Sequence, residues 1–116
     1  MNLKDLADRL HLENLTPAVP LEGRQVAGGH ASDLLSDVLA NAPRQGVLVT
    51  IQVHMNVLAV ALHAGLAAVV FAAGRAPEAA VLAKAAEEQI PLLVSTEPAF
   101  DVVGRLYALG LRGRHA

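Results

Sequence analysis

Leu3, Leu6 and Leu10 recur at helical spacing among Lys4, Asp5, Asp8 and Arg9, so the chain opens on a short amphipathic helix. Leu12 to Leu21 carries Pro17 and Pro20 and is an extended connection, with one short strand around Asn14 to Thr16. Arg24 to Ala27 is expected as a strand ending at Gly28-Gly29. Ser32 or Asp33 then caps a helix that sets Leu34, Leu35, Val38 and Leu39 on one face. Pro43 to Gly46 breaks that helix, and Val47 to Ile51 is a β-branched apolar run of the kind buried on both faces of a sheet. Asn56 caps the next helix, carrying Val57, Val60, Ala61 and Ala64 and stopping at Gly65. Leu66 to Ala72 forms the following strand, with Gly74 and Arg75 at its exit. Pro77 and Glu78 suit the first turn of a helix in which Val81, Leu82, Ala85 and Ala86 face inward until Gln89. Pro91 to Val94 is one more strand, and Ser95 or Thr96 caps a last helix with Phe100, Val103 and Tyr107 on one face.

This alternation predicts a mostly parallel sheet of five strands with about five helices on its two faces, joined by right-handed crossovers. A length of 116 residues fits a single domain, read here as residues 1–111, with 112–116 as a frayed tail. A hydrophobic content of 53% against 17% charged residues is too apolar for intrinsic disorder. Nine basic against 11 acidic residues, with no Lys/Arg block and 3% aromatics, argue against a nucleic-acid partner. Val57 to Ala73 is apolar apart from His63 and Gly65 but falls short of the roughly 20 residues a membrane span needs. His63-Ala64-Gly65 reads as a helix end, and no membrane association is expected. Zero Cys excludes disulfides, thiolate metal sites and a cysteine nucleophile, and the charged start Met1 to Asp5 lacks the layout of a secretory signal. Both features fit a cytoplasmic protein.

Ligands of such sheets gather at the carboxyl ends of the strands. The residues expected there are Gly28, Gly29, His30 and Ser32, then Gln52, His54 and Asn56, then Gly74 and Arg75, and finally Ser95, Thr96 and Glu97. Free N–H groups after Gly28-Gly29 would hold an anion, although two glycines also simply shape a turn. His30, His54 and Asp33, if convergent, would offer acid/base or metal chemistry, against exposed or capping histidines. Asn56 is a helix cap before it is a ligand contact, and Arg75 is either a carboxylate or phosphate receptor or a solvated side chain. No G-x-G-x-x-G or G-x-x-x-x-G-K-[ST] pattern occurs, and Lys4 and Lys84 are the only lysines. ATP-dependent phosphoryl transfer is therefore not expected, nor is any cofactor, metal or catalytic residue assigned.

Gly23-Arg24-Gln25-Val26-Ala27-Gly28-Gly29, followed by Ser32-Asp33-Leu34-Leu35-Ser36-Asp37-Val38, resembles the motif of the DRTGG domain family. Thr50-Ile51-Gln52-Val53-His54-Met55-Asn56, Gly74-Arg75, Ile90-Pro91 and Gly104-Arg105-Leu106-Tyr107 are similar to later family positions in the same order. Gly23 replaces the family's Asp and Ala27 its Thr, so Arg24 and the glycines alone remain of the name-giving motif. The resemblance implies a three-layer α/β/α sandwich around a mixed sheet, similar to the amino-terminal domain of HPr kinase/phosphorylase. It also implies a sensing or regulatory module, because family members stand alone, beside CBS domains or ahead of phosphotransacetylase domains.

The function expected is a non-catalytic regulatory or ligand-sensing domain acting through self-association or a protein partner. Its site would comprise Gly28, Gly29, Ser32, Gln52, His54, Asn56, Arg75 and Thr96, and its ligand would be a small anionic metabolite. The competing reading is an enzyme subunit using His54 with His30. A mean hydropathy of +0.42 in so small a domain leaves apolar surface over, which predicts a homodimer through the Ala-rich helices or the Phe100, Val103, Tyr107 face.

Overall fold

The structure, a computed structural model, describes residues 1–114. Its elements are α1 (Leu3–Arg9), β1 (Glu13–Asn14), β2 (Gly28–Ala31), α2 (Leu35–Asn41), β3 (Gly46–Thr50), α3 (Asn56–Ala64), β4 (Ala68–Phe71), α4 (Ala79–Glu87), β5 (Leu92–Val94) and α5 (Ala99–Ala108). The strands form one mixed sheet in the order β1-β5-β4-β3-β2, parallel from β2 to β5, with β1 antiparallel to β5. Because β2 to β5 follow one another in space as in sequence, right-handed crossovers carry α2, α3 and α4 over the same face. The opposite face is left to α1 and α5, and the three-layer α/β/α sandwich results.

Side-chain alternation along the strands divides the core accordingly. Val47, Val49, Ala68 and Val70 pack with Leu3 and Leu6 of α1 and Val102 and Leu106 of α5. Leu48, Val69 and Phe71 pack with Val38 of α2, Val57 and Ala61 of α3, and Val81 and Ala85 of α4. Every residue of β3 and β4 is buried, which explains their continuous apolar runs. Each large apolar side chain buried this way contributes roughly 1.5 to 3 kcal/mol. The apolar stretch 57–73 is divided by Gly65 in the left-handed region (φ 65) into a helix and a strand. Among the described residues no helix is long and apolar enough to cross a membrane.

Three expected boundaries are corrected. The strand expected over Arg24 to Ala27 begins instead at Gly28, and the glycines are its interior. A Cβ on Gly28 would lie 2.7 Å from the Arg112 carbonyl oxygen, so close backbone approach outweighs the low strand propensity of glycine. Arg24 to Val26 serve to anchor the amino terminus, with the Leu3 N–H donating to the Arg24 carbonyl and the Val26 N–H to that of Met1. The last helix starts after Pro98 and has no cap from Ser95 or Thr96, since Pro98 itself has non-helical backbone (φ −59, ψ 156) and a proline disfavours helix at the residue before it. Asn56 lies inside α3, because Met55 already has helical backbone (φ −52, ψ −31). On α2 only Val38 is buried, while Leu34 and Leu39 are exposed.

Of the expected tail, the Arg112 carbonyl receives the Gly29 N–H at 3.0 Å, and the Arg112 guanidinium lies 3.6 Å over the Tyr107 ring centroid. Arg114 donates to the Ala40 carbonyl at 3.0 Å. Residues 115 and 116 lie outside the described residues.

Candidate functional site

The exits of the four parallel strands meet along one edge of the sheet, and their polar side chains are largely engaged in shaping the loops. After β3, alternate residues form a relay of bonds two positions apart. Thr50 Oγ1 accepts from the Gln52 N–H (3.0 Å), Gln52 Oε1 from the His54 N–H (3.1 Å), and His54 Nδ1 from the Asn56 N–H (3.0 Å). His54 thereby caps α3, the role expected of Asn56, and the bond requires its proton on Nε2. Asp33, expected to cap α2, instead reaches across from the β2 exit: its Oδ1 accepts from Thr50 Oγ1 and from the Ile51 N–H, both at 2.8 Å. Ser32 Oγ accepts from the Leu34 N–H and steadies the same turn (3.2 Å).

At the β4 exit, Ala73 and Gly74 take left-handed backbone (φ 58 and 68), and Arg75 is exposed. The Ala73 N–H donates to the Glu97 carbonyl (2.7 Å) and that of Gly74 to the Ser95 carbonyl (2.8 Å), tying this exit to the next. At the β5 exit the buried Ser95 accepts the Glu97 N–H on its Oγ (3.1 Å).

Two cavities open along this edge. One, of about 360 Å³, lies between the β3 exit and the start of α4 and is lined by Gln52, His54, Met55 and Glu78 among others. The other, of about 380 Å³, lies between the end of α1 and the β5–α5 turn and brings together Arg9, His11, Ser95, Thr96, Glu97 and Arg105. In it Arg105 holds Glu97 bidentately, Nε to Oε2 at 2.6 Å and Nη2 to Oε1 at 2.7 Å. That pairing keeps the Glu97 carboxyl below its ordinary range. A third cavity, apolar and about 230 Å³, lies over Gly29, Ala31 and Val49 against Val103 and Tyr107 of α5. Beyond it Phe100 stands 89% exposed and Tyr107 58%.

The expected site is therefore not assembled as one unit. Gly28 and Gly29 lie at the amino ends of the strands, paired with Gly46 and Val47, and the Gly29 N–H is already used by Arg112. Gln52 and His54 share the first cavity, Thr96 belongs to the second, and neither lining includes Ser32, Asn56 or Arg75. His30 and His54 have separate partners. His30 points to the α2 side, where its Nε2 meets Asp37 Oδ2 at 2.8 Å. Asn41 donates to the other carboxylate oxygen, and these two neighbours, Asn41 first, hold the Asp37 carboxyl down to about 2. Among the described residues no three His, Cys, Asp or Glu side chains cluster as metal ligands.

Arg9, His11 and Arg105 were not legible as site residues, because two of them lie at the end of a helix that follows no strand. The antiparallel pairing of β1 with β5 brings that helix end to the exit edge.

No family model matches the sequence, and no curated protein matches it. A solved structure does match in fold: the CBS and DRTGG domains of the regulatory region of Clostridium perfringens pyrophosphatase, complexed with its activator, diadenosine tetraphosphate. The TM-score is 0.69 at 12% sequence identity, over 96% of this chain and 47% of that one. The fold is DRTGG-like, and the chain spans less than half the length of this neighbour.

Proposed function

We propose that this chain is a non-catalytic regulatory domain of the cytoplasm that senses a small anionic metabolite and acts through self-association or a protein partner. The observation that carries the reading is the division of labour on α5. One flank turns Arg105 into a polar cavity at the strand exits, and another exposes Phe100 and Tyr107 as apolar surface. A single rigid element thus touches both a place for a ligand and a place for a partner, the arrangement that coupling between two sites requires. The fold shared with a regulatory region solved with an activator supports the same reading. Along the edge, Ser32, Gln52, His54, Asn56, Arg75 and Thr96 remain the residues proposed to meet or frame a ligand, whereas Gly28 and Gly29 belong to the opposite end.

The test is thermal stability against a panel of nucleotides, acyl phosphates and organic acids. A ligand present at a hundred times its dissociation constant stabilises the native state by about 2.7 kcal/mol, an easily measured shift. A panel without any shift would remove ligand sensing from the proposal. Sedimentation at low micromolar concentration tests self-association: a species of twice the 12.1 kDa chain is expected, and one near 12.1 kDa would overturn it.

A further inference from the structure

We infer that the cavity between the end of α1 and the β5–α5 turn is an oxyanion site, taking the phosphate or carboxylate groups of a small dianionic molecule, with Glu97 as the built-in counterion that the ligand competes against. The inference rests on the ligand-sensing reading and gives it a location and a ligand chemistry.

The charge count is the first reason. Arg9 and Arg105 bring two fixed positive charges to the cavity, and Glu97 answers one. Among the described residues Arg9 has no hydrogen-bond or ion-pair partner, and neither do the His11 imidazole or the Thr96 hydroxyl. The second reason is the balance of donors and acceptors. Arg9 offers five N–H groups, Arg105 keeps three after its two bonds to Glu97, and Glu97 is the one carboxylate of the lining, with Asp101 in the first turn of α5 acting on Arg105 from outside it. A ligand that is negative and accepts without donating fits this surplus, and the planar fork of a guanidinium matches the oxygen spacing of carboxylate and phosphate alike. A cation or an apolar group would meet uncompensated guanidinium charge.

The third reason is that the fold fixes the frame. His11 is held in left-handed backbone (φ 53) by its N–H to the Asp8 carbonyl (3.2 Å) and that of Leu12 to the Ala7 carbonyl (2.9 Å). The Glu97 backbone is held at both ends, its N–H on Ser95 Oγ and its carbonyl receiving the Ala73 N–H. Its carboxylate can therefore leave Arg105 by side-chain rotation while the turn stays in place. An arriving oxyanion would take the freed Nε and Nη2 donors.

The experiment is a two-dimensional amide NMR titration of the whole chain with inorganic pyrophosphate, and in a second arm succinate, at ionic strength held constant with NaCl. Saturable shifts at His11, Thr96, Glu97 and Arg105 are expected, and the arm that saturates first identifies phosphate or carboxylate as the preferred group. Arg9→Gln, a substitution at an exposed position, should weaken binding roughly tenfold, as loss of a charge-assisted pair does. Glu97→Gln should tighten it several-fold, because a competing negative charge is removed from beside the ligand. A purely structural ion pair would give no such gain. Shifts no larger than those NaCl produces, unchanged affinity in Arg9→Gln, or weaker binding in Glu97→Gln would each overturn the site. Shifts centred on Gln52 to Asn56 would overturn it too, while leaving the ligand-sensing reading intact; that reading fails separately, on the thermal panel.

Discussion

At the amino ends of the parallel strands the connections are held by backbone groups: Ala27 N–H to the Gln45 carbonyl, Gln45 N–H to that of Gly65, and Ala67 N–H to that of Gly46. At the carboxyl ends side chains share that work with the Ala73 and Gly74 backbone bonds, Asp33, Thr50, Gln52, His54 and Ser95 each accepting a backbone N–H. Backbone closure demands the absence of side chains, and it shows in the sequence as glycine. Side-chain closure demands small polar residues and amides, and it shows as what a ligand site would also look like. The exit edge therefore contains two kinds of polar residue, those consumed by the loops and those without a partner among the described residues, and of the second kind Arg9, His11 and Thr96 share one cavity.

The sharpest test of the contrast is Gly46→Ala, which puts a methyl group into the closed end. The added Cβ would stand 2.7 Å from the Pro43 carbonyl oxygen and 2.8 Å from Pro43 Cγ, in a ring and backbone with little freedom to retreat. A loss of about 2 kcal/mol is expected, the usual scale of overpacking, read as a lower urea midpoint at unchanged slope. Gly28→Ala meets the Arg112 carbonyl at the same distance, but in a segment with fewer bonds to break, so it should cost less. An unaltered midpoint in both variants would mean that the amino end is not closed by contact.

These two positions also show where sequence reasoning stops. Long apolar runs such as Val47 to Ile51 declare a buried strand by themselves, and the strand-helix alternation carries the layers and most element positions with it. Gly28 and Gly29 mislead, because a glycine pair signals a strand's end as readily as a crossing of two backbones, and only the approach of Arg112 and Pro43 decides between them. Thr50, Gln52, His54 and Asn56 were legible as a polar series at a strand exit. Their consumption by neighbouring N–H groups was not, since it depends on loop backbone angles that no pattern encodes. The basic cavity was hidden because its residues come from three separate stretches of chain, joined by the β1–β5 pairing.

At the open end the largest loss should come from Asp33→Ala. This carboxylate bridges the β2 and β3 exits through Thr50 Oγ1 and the Ile51 N–H, and its removal leaves both donors to water. About 1.5 kcal/mol is expected for two charge-assisted bonds near the surface, with Asp33→Asn losing less because one acceptor oxygen remains. Equal losses for the two variants in urea denaturation would assign the effect to charge rather than to bridging.

The Asp37 carboxylate, held by Asn41 first and His30 second, adds a pH dependence to stability. In the folded chain the Asp37 carboxyl is held down to about 2 from an ordinary value of 3.8. Its contribution to stability is thus complete above that ordinary value and is lost as the pH falls through the interval towards 2. Urea midpoints of wild type and Asp37→Asn should differ at pH 5 and draw together as the pH falls towards 2 and the wild-type carboxyl takes up its proton. Curves that stay parallel to the acid end would show that Asn41 and His30 do not favour the ionised form.

The smallest effects separate two neighbours that the sequence treats alike. His54 Nδ1 accepts the Asn56 N–H and so satisfies one of the unpaired donors at the start of α3, whereas the Asn56 side chain is exposed and makes no hydrogen bond among the described residues. His54→Ala should therefore cost about 0.5 to 1 kcal/mol, the ordinary loss for a helix cap, and should speed hydrogen exchange at the Asn56 amide. Asn56→Ala should leave stability unchanged to within a few tenths of a kcal/mol, as surface substitutions without partners do. His54→Asn keeps an acceptor at the same spacing and should recover much of the loss, since the cap needs an acceptor atom rather than an imidazole. If His54→Ala cost no more than Asn56→Ala, the relay along the β3 exit would end one bond earlier than described. His54 would then stand among the unpartnered residues of the exit edge, where its cavity beside Gln52 and Glu78 would become the stronger candidate for a ligand.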